Sequence, residues 1–408
     1  MAVHQGRQSR RLPLRFDRME LSGAFGDLGT LLPMAIGMIL VNGMDPSGVM
    51  VSIGLFYILS GLYFGVTVPV QPMKVIGAYA IATAMTAQQV LSAGLLMGIA
   101  LLLIGATNAI TVISRWIPKS VIRGVQLSTG ILLMAQGVKL MMGSSPFQTL
   151  QSAAEPYLTI QAIGPIPVGI VLGLAAGCMA LALLENTKLP AGIAVVGFGF
   201  LSGMFLGTHS EWSTLAPGFH PPRFLPFGWP SGGDLSFALV VLVAPQLPMT
   251  IGNAVVANAD LSREYFADAS ARVTYRGLTV SMALANFASF FLGGIPLCHG
   301  AGGLATHYRF GARTAGSNLM VGAIFLLLGL GLGPSTVAVF HLLPLSVLGV
   351  LLLFGGSQLA LTMMDLKNRK DMFVALTMLG VTLASNLAGG FVLGIALAHA
   401  LRSDKLRV

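Results

Sequence analysis

The stretch from Val68 to Lys74 constrains the fold of this chain more than any other feature. It reads Val-Pro-Val-Gln-Pro-Met-Lys and lies inside a long apolar tract, where a continuous membrane-spanning helix would otherwise be expected. Its two prolines oppose helical backbone, and Lys74 places a charge at a depth where hydrocarbon is expected. Non-helical backbone is tolerated within a membrane only where protein buries it or where it lines a cavity. The sequence therefore predicts a broken helix here, and a second one at Ile295 to Gly300.

Composition places the chain among membrane proteins. Of its 408 residues 55% are hydrophobic and 9% are charged, which excludes an ordinary soluble domain. The net charge of +9 comes from basic residues gathered in short loops and tails, which indicates membrane topology and not nucleic-acid binding. The two cysteines, Cys178 and Cys298, lie in or beside apolar tracts, so neither a disulfide framework nor a metal site is expected, and no cofactor is predicted. The first apolar tract continues into the membrane body, so no cleaved signal peptide is expected.

Apolar tracts of sufficient length predict an all-α polytopic membrane protein, since each crossing needs about 20 residues. The two broken segments fall near 66–86 and 294–310 and are each expected to be an extended strand followed by a half helix. With 335–363 taken as one long bent span, the count is about fourteen transmembrane segments. The other predicted spans are 20–40, 48–67, 90–112, 121–142, 165–184, 189–207, 236–257, 277–294, 317–333, 372–386 and 387–401.

Basic residues set the expected direction of the spans, because cytoplasmic loops are enriched in lysine and arginine. The amino-terminal tail, 1–18, is arginine-rich and is predicted to be cytoplasmic. Alternation then gives a first repeat over 19–207, an extracytoplasmic loop over 208–235, a second repeat over 236–401 and a cytoplasmic tail over 402–408, with no regulatory STAS domain expected after it. The basic residues predicted to face the cytoplasm include Arg115, Lys119, Arg123, Lys188, Arg263, Arg272, Arg276, Arg309, Arg313, Lys367, Arg369 and Lys370.

Two pairs of segments share one spacing and indicate an internal repeat. Pro69 and Pro296 lie 227 positions apart, and the prolines of Ile-Pro-Lys-Ser-Val-Ile and Leu-Pro-Leu-Ser-Val-Leu, Pro118 and Pro344, lie 226 apart. Seven spans separate the copies, and this odd number makes the two halves run in opposite directions through the membrane. The predicted architecture is a seven-plus-seven inverted repeat, and transporters of this design bind their substrates near the membrane midplane beside broken helices.

The inverted repeat brings two half-helix amino termini, near Met73 and Gly300, to face one another. Each terminus offers unpaired N–H groups and about half a positive charge, so together they predict an anion site. Gly300, Gly302 and Gly303 would let a ligand approach the backbone closely. Tight helix packing is the alternative explanation for these glycines.

Asp27 lies in Gly-Ala-Phe-Gly-Asp-Leu-Gly-Thr on the first span. A membrane carboxylate is costly and suggests a function, here in a locally unwound segment at midmembrane. The alternative is a helix-end residue at the cytoplasmic interface. Lys74 either adds charge to the anion site or forms a structural ion pair with Asp27.

The eighth span carries polar side chains on one face. Gln246, Thr250 and Asn253 are spaced by four and three residues, and they supply hydrogen bonds either to oxyanion oxygens or between helices. The candidate substrate-binding residues are therefore Phe25, Gly26, Asp27, Gly29, Thr30, Gln71, Pro72, Met73, Lys74, Gln246, Thr250, Asn253, His299, Gly300, Ala301, Gly302 and Gly303. A carboxylate beside a bound dianion is unfavourable when ionised, so anion binding is expected to recruit a proton to Asp27, which is the predicted proton-coupling residue.

The chain resembles the type-1 molybdate transporters, a branch of the sulfate-permease superfamily. The resemblance rests on GAFGDLGTLLP at 23–33, PVQPMK at 69–74 and QLPMTIGNAVVA at 246–257. It implies a core domain, a gate domain and elevator-like alternating access. It also implies a bacterial inner-membrane transporter for molybdate, with sulfate as the alternative because both are tetrahedral dianions. Protons, the lipid bilayer and the anion are the expected partners, and monomer and homodimer both stay open.

Two other classes of function are disfavoured. A nucleobase permease, the lower-ranked alternative, resembles this architecture but would place carboxylates on the eighth and tenth spans, where this chain has Gln246 and the stretch from His299 to Gly303. An enzyme would need a nucleophile and a base, and the adjacent Cys298 and His299 point to opposite faces of an extended strand. The sequence therefore predicts a transporter and not an enzyme.

Overall fold

The described part of the first half of the protein is a series of helices interrupted by three two-residue strands. The computed structural model describes residues 12–107, 118–145, 148–149, 151–186, 189–208 and 215–402. The elements of the first half are α1 (Arg18–Gly26), α2 (Leu28–Asn42), α3 (Pro46–Phe64), β1 (Gln71–Pro72), α4 (Lys74–Thr83), α5 (Ala87–Thr107), α6 (Lys119–Met141), β2 (Ala162–Ile163), β3 (Ile166–Pro167), α7 (Val168–Leu183) and α8 (Ala191–Leu206).

The second half repeats this order. It begins with α9, a long helical run over Gly232–Ser270 in which Leu239–Val243 and Thr250–Ala257 are π-helical. The elements that follow are α10 (Tyr275–Leu292), β4 (Leu297–Cys298), α11 (Ala301–Arg309), α12 (Ala315–Leu332), α13 (Thr336–Phe340), α14 (Leu345–Leu361), α15 (Arg369–Ala384) and α16 (Leu387–Ala400).

The two broken segments form as predicted. β1 and β4 pair antiparallel, with Gln71 opposite Cys298 and Pro72 opposite Leu297. Each strand leads into a half helix, α4 after Met73 and α11 after Gly300. Both helix-cap residues have extended backbone, which turns the chain from strand to helix without a side-chain cap.

An approximate two-fold axis relates the halves. Gln71 and Cys298 are 227 positions apart and pair with each other, so the axis passes through this pair. Gly130 and Gly356 are 226 positions apart and also meet, since a Cβ on either would lie 2.6 Å from the carbonyl oxygen of the other. Pro118 and Pro344 occupy equivalent cap positions before α6 and α14. These contacts support the predicted inverted repeat.

The helices pack into two groups that match the predicted core and gate domains. In the first group α3 packs against α12, and α5 against α10. In the second, α6 packs against α14 and α15, α7 against α8 and α14, and α15 against α16. Contacts of α2 with α8 and α14, and of α4 with α6, join the groups. Residues from both groups therefore meet beside the broken segments.

The protein is an integral multi-pass membrane protein. Within the described residues six helices are long and apolar enough to cross a membrane, or seven when α1 and α2 are taken as one span bent by 50°. Several shorter apolar helices, including α4, α7, α8 and α16, accompany them. The total of fourteen spans stays a prediction, and residues 1–11 and 403–408 of the two tails, Arg115 and Lys188 lie outside the described residues.

One predicted span was wrong. The region 335–363 is not a single bent helix, because α13 ends at Phe340 and α14 begins only at Leu345. Pro344 explains the separation, since proline has no N–H group and restricts the residue before it to extended backbone. The second half thereby matches the first, in which Pro118 precedes α6.

Candidate functional site

The break in the first span lies at Asp27. Its N–H caps α1, and its carbonyl accepts from Thr30 and Leu31 at the start of α2. The side chain is 2% exposed, and its Oδ1 accepts a 2.5 Å hydrogen bond from Nε2 of Gln71. Asp27 therefore sits in a locally unwound, buried segment, and the alternative of an exposed helix-end residue does not describe it.

Asp27 is partnered by Gln71 and not by Lys74. No ion pair between Asp27 and Lys74 occurs within the described part of the chain, where the salt bridges involve other residues. Two buried acceptors beside the Asp27–Gln71 bond, Oδ2 of Asp27 and Oε1 of Gln71, have no hydrogen-bond donor. The Lys74 ammonium is therefore available to a ligand.

The amino terminus of α4 is already capped by α9. Oε1 of Gln246 accepts from the amides of Val75 and Ile76 at 2.9 and 3.2 Å, and its Nε2 donates to Oγ1 of Thr250 at 2.9 Å. Both polar side chains are buried. In this structure Gln246 thus makes the interhelical hydrogen bonds that were the alternative to oxyanion binding, and Thr250 bonds to Gln246 within α9.

The amino terminus of α11 is open by contrast. No acceptor among the described residues lies within hydrogen-bond distance of the amides of Ala301 and Gly302, whereas Gly303 already bonds to the carbonyl of Gly300. Gly302 is exposed although it lies at the centre of the fold. A Cβ on Gly302 would meet one neighbour, Nζ of Lys74 at 3.9 Å. A positive charge and free amides therefore converge at this point.

The other two glycines of this turn are needed by the protein itself. A Cβ on Gly303 would lie 2.5 Å from Oδ2 of Asp27 and 2.7 Å from Nε2 of Gln71, and a Cβ on Gly300 would collide with Oε1 of Gln71. Close packing is therefore the reason for glycine at Gly300 and Gly303. At Gly302 the missing side chain instead leaves space for a ligand to approach the backbone.

A cavity of about 550 Å³ lies between the two helix groups. It begins at the open terminus of α11 and extends toward the ends of α6, α11 and α14. Six of the predicted binding residues line it: Gly26, Gly29, Thr30, Lys74, Asn253 and Gly302. Among the lining residues that the structure describes, none is a carboxylate. A volume of this size is typical of a small-molecule site.

Eleven other predicted residues do not line this cavity, and their part in substrate binding stays a prediction. They are Phe25, Asp27, Gln71, Pro72, Met73, Gln246, Thr250, His299, Gly300, Ala301 and Gly303. Most are buried between the broken segments and their supporting helices, where packing turns their side chains away from the opening. The backbone amide of Ala301 is the part of this set that stays next to the site.

The contacts of His299 show most clearly why such a residue does not line the cavity. Its Nδ1 lies 2.8 Å from the carbonyl oxygen of Pro69 and its Nε2 lies 2.9 Å from Oγ of Ser281. The ring packs against Phe56 and Phe64. Cys298 points the other way, with Sγ near the carbonyl of Pro72. The alternation expected for a strand thus holds, and it directs His299 into the core.

Sequence reasoning missed the polar residues at the other end of the cavity. They are Arg123, Gln126, Thr306, Arg309, Gln358 and Thr362. Arg123 and Arg309 had been interpreted as topology markers in cytoplasmic loops, although each lies at a helix end beside the cavity. The hydrogen bond and ion pair that Arg123 makes with Asp365, helped by Lys119, hold the pKa of that carboxyl at about 2, well below its usual range.

Comparison with solved structures identifies the class of fold. The transmembrane domain of BicA, a cyanobacterial bicarbonate transporter, superimposes with a TM-score of 0.66 at 17% sequence identity, covering 93% of this chain and 98% of that one. The murine anion transporter Slc26a9, solved in its inward-facing state, gives a TM-score of 0.65 at 14% identity, with coverage of 94% and 68%. This chain thus has the inverted-repeat fold of these membrane transporters.

Sequence comparison gives the family. A family model described as a molybdate transporter of the MFS superfamily matches residues 19–133 and 238–359. Molybdate transporter 2 of Arabidopsis thaliana is 32% identical over 409 residues, covering 93% of this chain and 86% of the relative. Molybdate transporter 1 of Chlamydomonas reinhardtii is 29% identical over 469 residues, with coverage of 92% and 90%. The protein belongs to this molybdate transporter family, and the predicted resemblance is confirmed.

Proposed function

We propose that this protein carries a tetrahedral oxyanion across the membrane, with molybdate as its substrate and sulfate as the competing candidate. The observation that carries the proposal is the open amino terminus of α11, where the amides of Ala301 and Gly302 lie next to the Lys74 ammonium. We call this end of the cavity its head. Free N–H groups, the helix dipole and a fixed cation all favour an anion. Thr30 and Asn253 add neutral hydrogen-bonding groups to the same cavity.

The identity of the relatives supports the choice of molybdate, because the curated proteins that resemble this chain along its length are named molybdate transporters. The structural neighbours are a bicarbonate transporter and an anion transporter. A cavity lined by Lys74 and lacking carboxylates among its described residues also suits a dianion better than a nucleobase. Movement of the core domain against the gate domain would carry the anion by elevator-like alternating access.

The Lys74→Gln variant tests the proposed site through its binding and uptake of molybdate. The purified variant should bind molybdate about tenfold or more weakly than wild type, because a charge-assisted contact to the dianion is lost. Lys139→Gln is the matched control, since Lys139 is exposed at the far end of α6 and does not line the cavity. Equal molybdate affinity in the two variants would reject the site.

Selectivity is tested by competition in proteoliposomes. Molybdate and sulfate have the same charge and shape, so discrimination rests on cavity size and on the fixed geometry of the α11 amides. Excess sulfate should inhibit uptake of labelled molybdate only weakly. Equal inhibition by equal concentrations of the two ions would replace molybdate with the broader sulfate-permease function.

We also propose that Asp27 couples transport to protons. An inward-moving dianion works against a negative membrane potential by about 2.3 kcal/mol per charge per 100 mV, so uptake needs a symported cation. Oδ2 of Asp27 is buried without a donor, which favours a neutral carboxyl over an ionised one. Asp27 also contacts α11 through Gly303, so its charge is felt at the anion site.

Asp27→Asn separates this role from a purely structural one. If Asp27 carries the proton, the variant should still exchange anion across the membrane but should lose accumulation driven by an inward proton gradient. If Asp27 only orders Gln71, the variant should weaken binding or folding and keep its dependence on pH. The second result would reject proton coupling and leave the anion site in place.

The expected cellular setting completes the proposal. The basic residues at the ends of α6 and α11 lie at one end of the cavity, which supports a cytoplasmic face there and both chain termini on that side. We place the protein in a bacterial inner membrane. Monomer and homodimer both fit this mode of transport, because each chain carries its own cavity and helix groups.

A further inference from the structure

The end of the cavity opposite Lys74 carries two arginines from different helix groups. Arg123 belongs to α6 of the gate group. Arg309 ends α11, which joins the core group because α1 packs against both α11 and α12. Both line the same cavity. We call the end of the cavity beside Arg123 and Arg309 its mouth. The cavity is therefore positively charged at its mouth as well as at its head.

Arg123 is held by an acidic partner in a geometry that also suits an oxyanion. Its Nε and Nη2 donate to the two carboxylate oxygens of Asp365 at 2.9 and 2.5 Å, and its Nη1 donates to Oε1 of Gln126 at 2.7 Å. Thr362 also donates to Gln126 Oε1 at 3.0 Å. A forked guanidinium binds carboxylate and tetrahedral oxyanions by the same paired hydrogen bonds. Asp365 therefore occupies a position that an anion of this kind is able to take.

The charges at the mouth do not cancel. Asp365 is shared between Arg123 and Lys119, whose Nζ lies 2.9 Å from Oδ2. Arg309 has no carboxylate partner among the described ion pairs; its Nη2 reaches the carbonyl of Glu185 at 3.4 Å and its guanidinium lies near the Phe310 ring. Among the described residues that line the cavity at this end, Arg123 and Arg309 carry two positive charges and none is a carboxylate. These two charges match a dianion.

We propose that Arg123 and Arg309 form a second, weaker subsite for the transported oxyanion at the cavity mouth, with Asp365 as its resident competitor. The inference rests on the proposed function, since it assumes that a tetrahedral dianion passes through the cavity. At this subsite the anion takes the place of the Asp365 carboxylate on the fork of Arg123 and bridges to Arg309. Thr306, Gln126 and Thr362 lie beside it with neutral polar groups. Because the two arginines come from the two helix groups, occupancy of the subsite holds core and gate together on this side.

Asp365→Asn is the most decisive test, because the two possible roles of Asp365 predict opposite changes in molybdate affinity at the mouth. If the carboxylate competes with the anion, its removal should tighten binding at the mouth by about fivefold, the amount expected for a partly exposed ion pair. If Asp365 only orients Arg123, the same variant should weaken binding there. The measurement is equilibrium binding of labelled molybdate to purified protein carrying Lys74→Gln, which isolates the mouth from the head of the cavity.

Two further variants address the arginines themselves. Arg123→Gln and Arg309→Gln, each combined with Lys74→Gln, should abolish the weaker class of molybdate binding. Arg309→Gln is expected to fold normally, because the Arg309 side chain is exposed and its loss removes no buried ion pair. Lys119→Gln is the charge-matched control: it removes one cation that contacts Asp365 but does not line the cavity, and it should keep the weaker binding class.

The outcomes distinguish this inference from the proposed function. Wild-type protein that binds neither molybdate nor sulfate would reject the transport proposal itself. Wild-type protein with one class of site, lost in Lys74→Gln and unaffected by the arginine variants, would reject the subsite alone. Weaker binding in the Asp365→Asn background would reject the competitor role of Asp365. Two classes of site, with the weaker class lost in both arginine variants, would establish the subsite.

Discussion

The adjacent glycines at the start of α11 allow one substitution to separate the anion site from the packing of the fold. Gly302→Ala and Gly303→Ala make the same chemical change in the same helical turn. At Gly302 the new methyl group meets only Nζ of Lys74, at the contact distance of 3.9 Å. At Gly303 it would meet Oδ2 of Asp27 at 2.5 Å, and both Nε2 of Gln71 and Cβ of Pro69 at 2.7 Å. The methyl group of Gly302→Ala would extend into the cavity, and that of Gly303→Ala would clash with buried side chains.

These geometries give opposite effects on stability. Distances of 2.5–2.7 Å force the Asp27–Gln71 pair to shift, and overpacking of this kind costs about 1–3 kcal/mol. Alanine gains about 0.5–1 kcal/mol over glycine in a helix, which offsets part of this cost, so Gly303→Ala should lose up to about 2.5 kcal/mol net. Gly302→Ala has no clash to offset that gain and should be as stable as wild type or more stable. Its methyl group blocks the space between the α11 amides and Lys74, so molybdate binding should fall by about tenfold or more, which corresponds to about 1.4 kcal/mol.

Thermal unfolding in detergent and equilibrium molybdate binding, measured on both variants, check this reasoning. The expected result is a crossed pattern, in which Gly302→Ala keeps its melting temperature and loses affinity while Gly303→Ala loses melting temperature. An unchanged molybdate affinity in a well-folded Gly302→Ala variant would show that the anion binds elsewhere. A stable Gly303→Ala variant would show that the Asp27–Gln71 contact is not tightly packed.

Other contacts give further predictions. Gln246→Leu should lower the melting temperature because two buried amides at the start of α4 lose their acceptor, at about 1–3 kcal/mol for each. Glu155→Gln should cost about 1–3 kcal/mol, since the carboxylate accepts from the amides of Leu345 and Ser346 at the start of α14 and an amide replaces only one acceptor oxygen; thermal unfolding measures it. Asp365 has a folded-state pKa of about 2, below its usual value, so its stabilising effect is present above about pH 4 and is lost as pH falls toward 2. Asp365→Asn should therefore leave the pH profile of anion binding unchanged between about pH 5 and 8; a shifted profile in that window would contradict this.

The broken segments were predictable because their cause is local in sequence. Proline acts on its own backbone and on the residue before it, so Pro69, Pro72 and Pro296 mark the breaks without any knowledge of neighbours. The repeat was detectable for a related reason, since a constant spacing between prolines survives when side chains diverge. The bend at Asp27 followed from a carboxylate flanked by glycines within an apolar tract.

The roles of individual polar residues were not predictable in this way. Gln246 accepts from the amide of Val75, which lies 171 positions earlier in the chain, and the sequence around Gln246 does not indicate which helix it contacts. Arg123 and Arg309 serve in the sequence analysis as markers of topology, and that interpretation hid their position beside the cavity. A basic residue at a helix end satisfies the positive-inside rule whether it points to solvent or into a cavity, because the rule counts charge and not direction.

The two halves share their backbone design but differ in their chemistry, and this difference decides where an anion is able to bind. Each half helix is supported by the opposite repeat: α4 receives Gln246 from α9, and α11 packs through Gly303 on Asp27 beside α1. Gln246 accepts from the amides of Val75 and Ile76, so this terminus presents fewer free donors to the cavity. Asp27 supports α11 from behind and leaves the amides of Ala301 and Gly302 free. Lys74, at the start of α4, then places its ammonium at the terminus of the other half helix. The α4 terminus thus has fewer free donors than the α11 terminus. On the proposed function, a dianion would therefore bind off the two-fold axis, beside α11 on the core side of the cavity, and would move with the core.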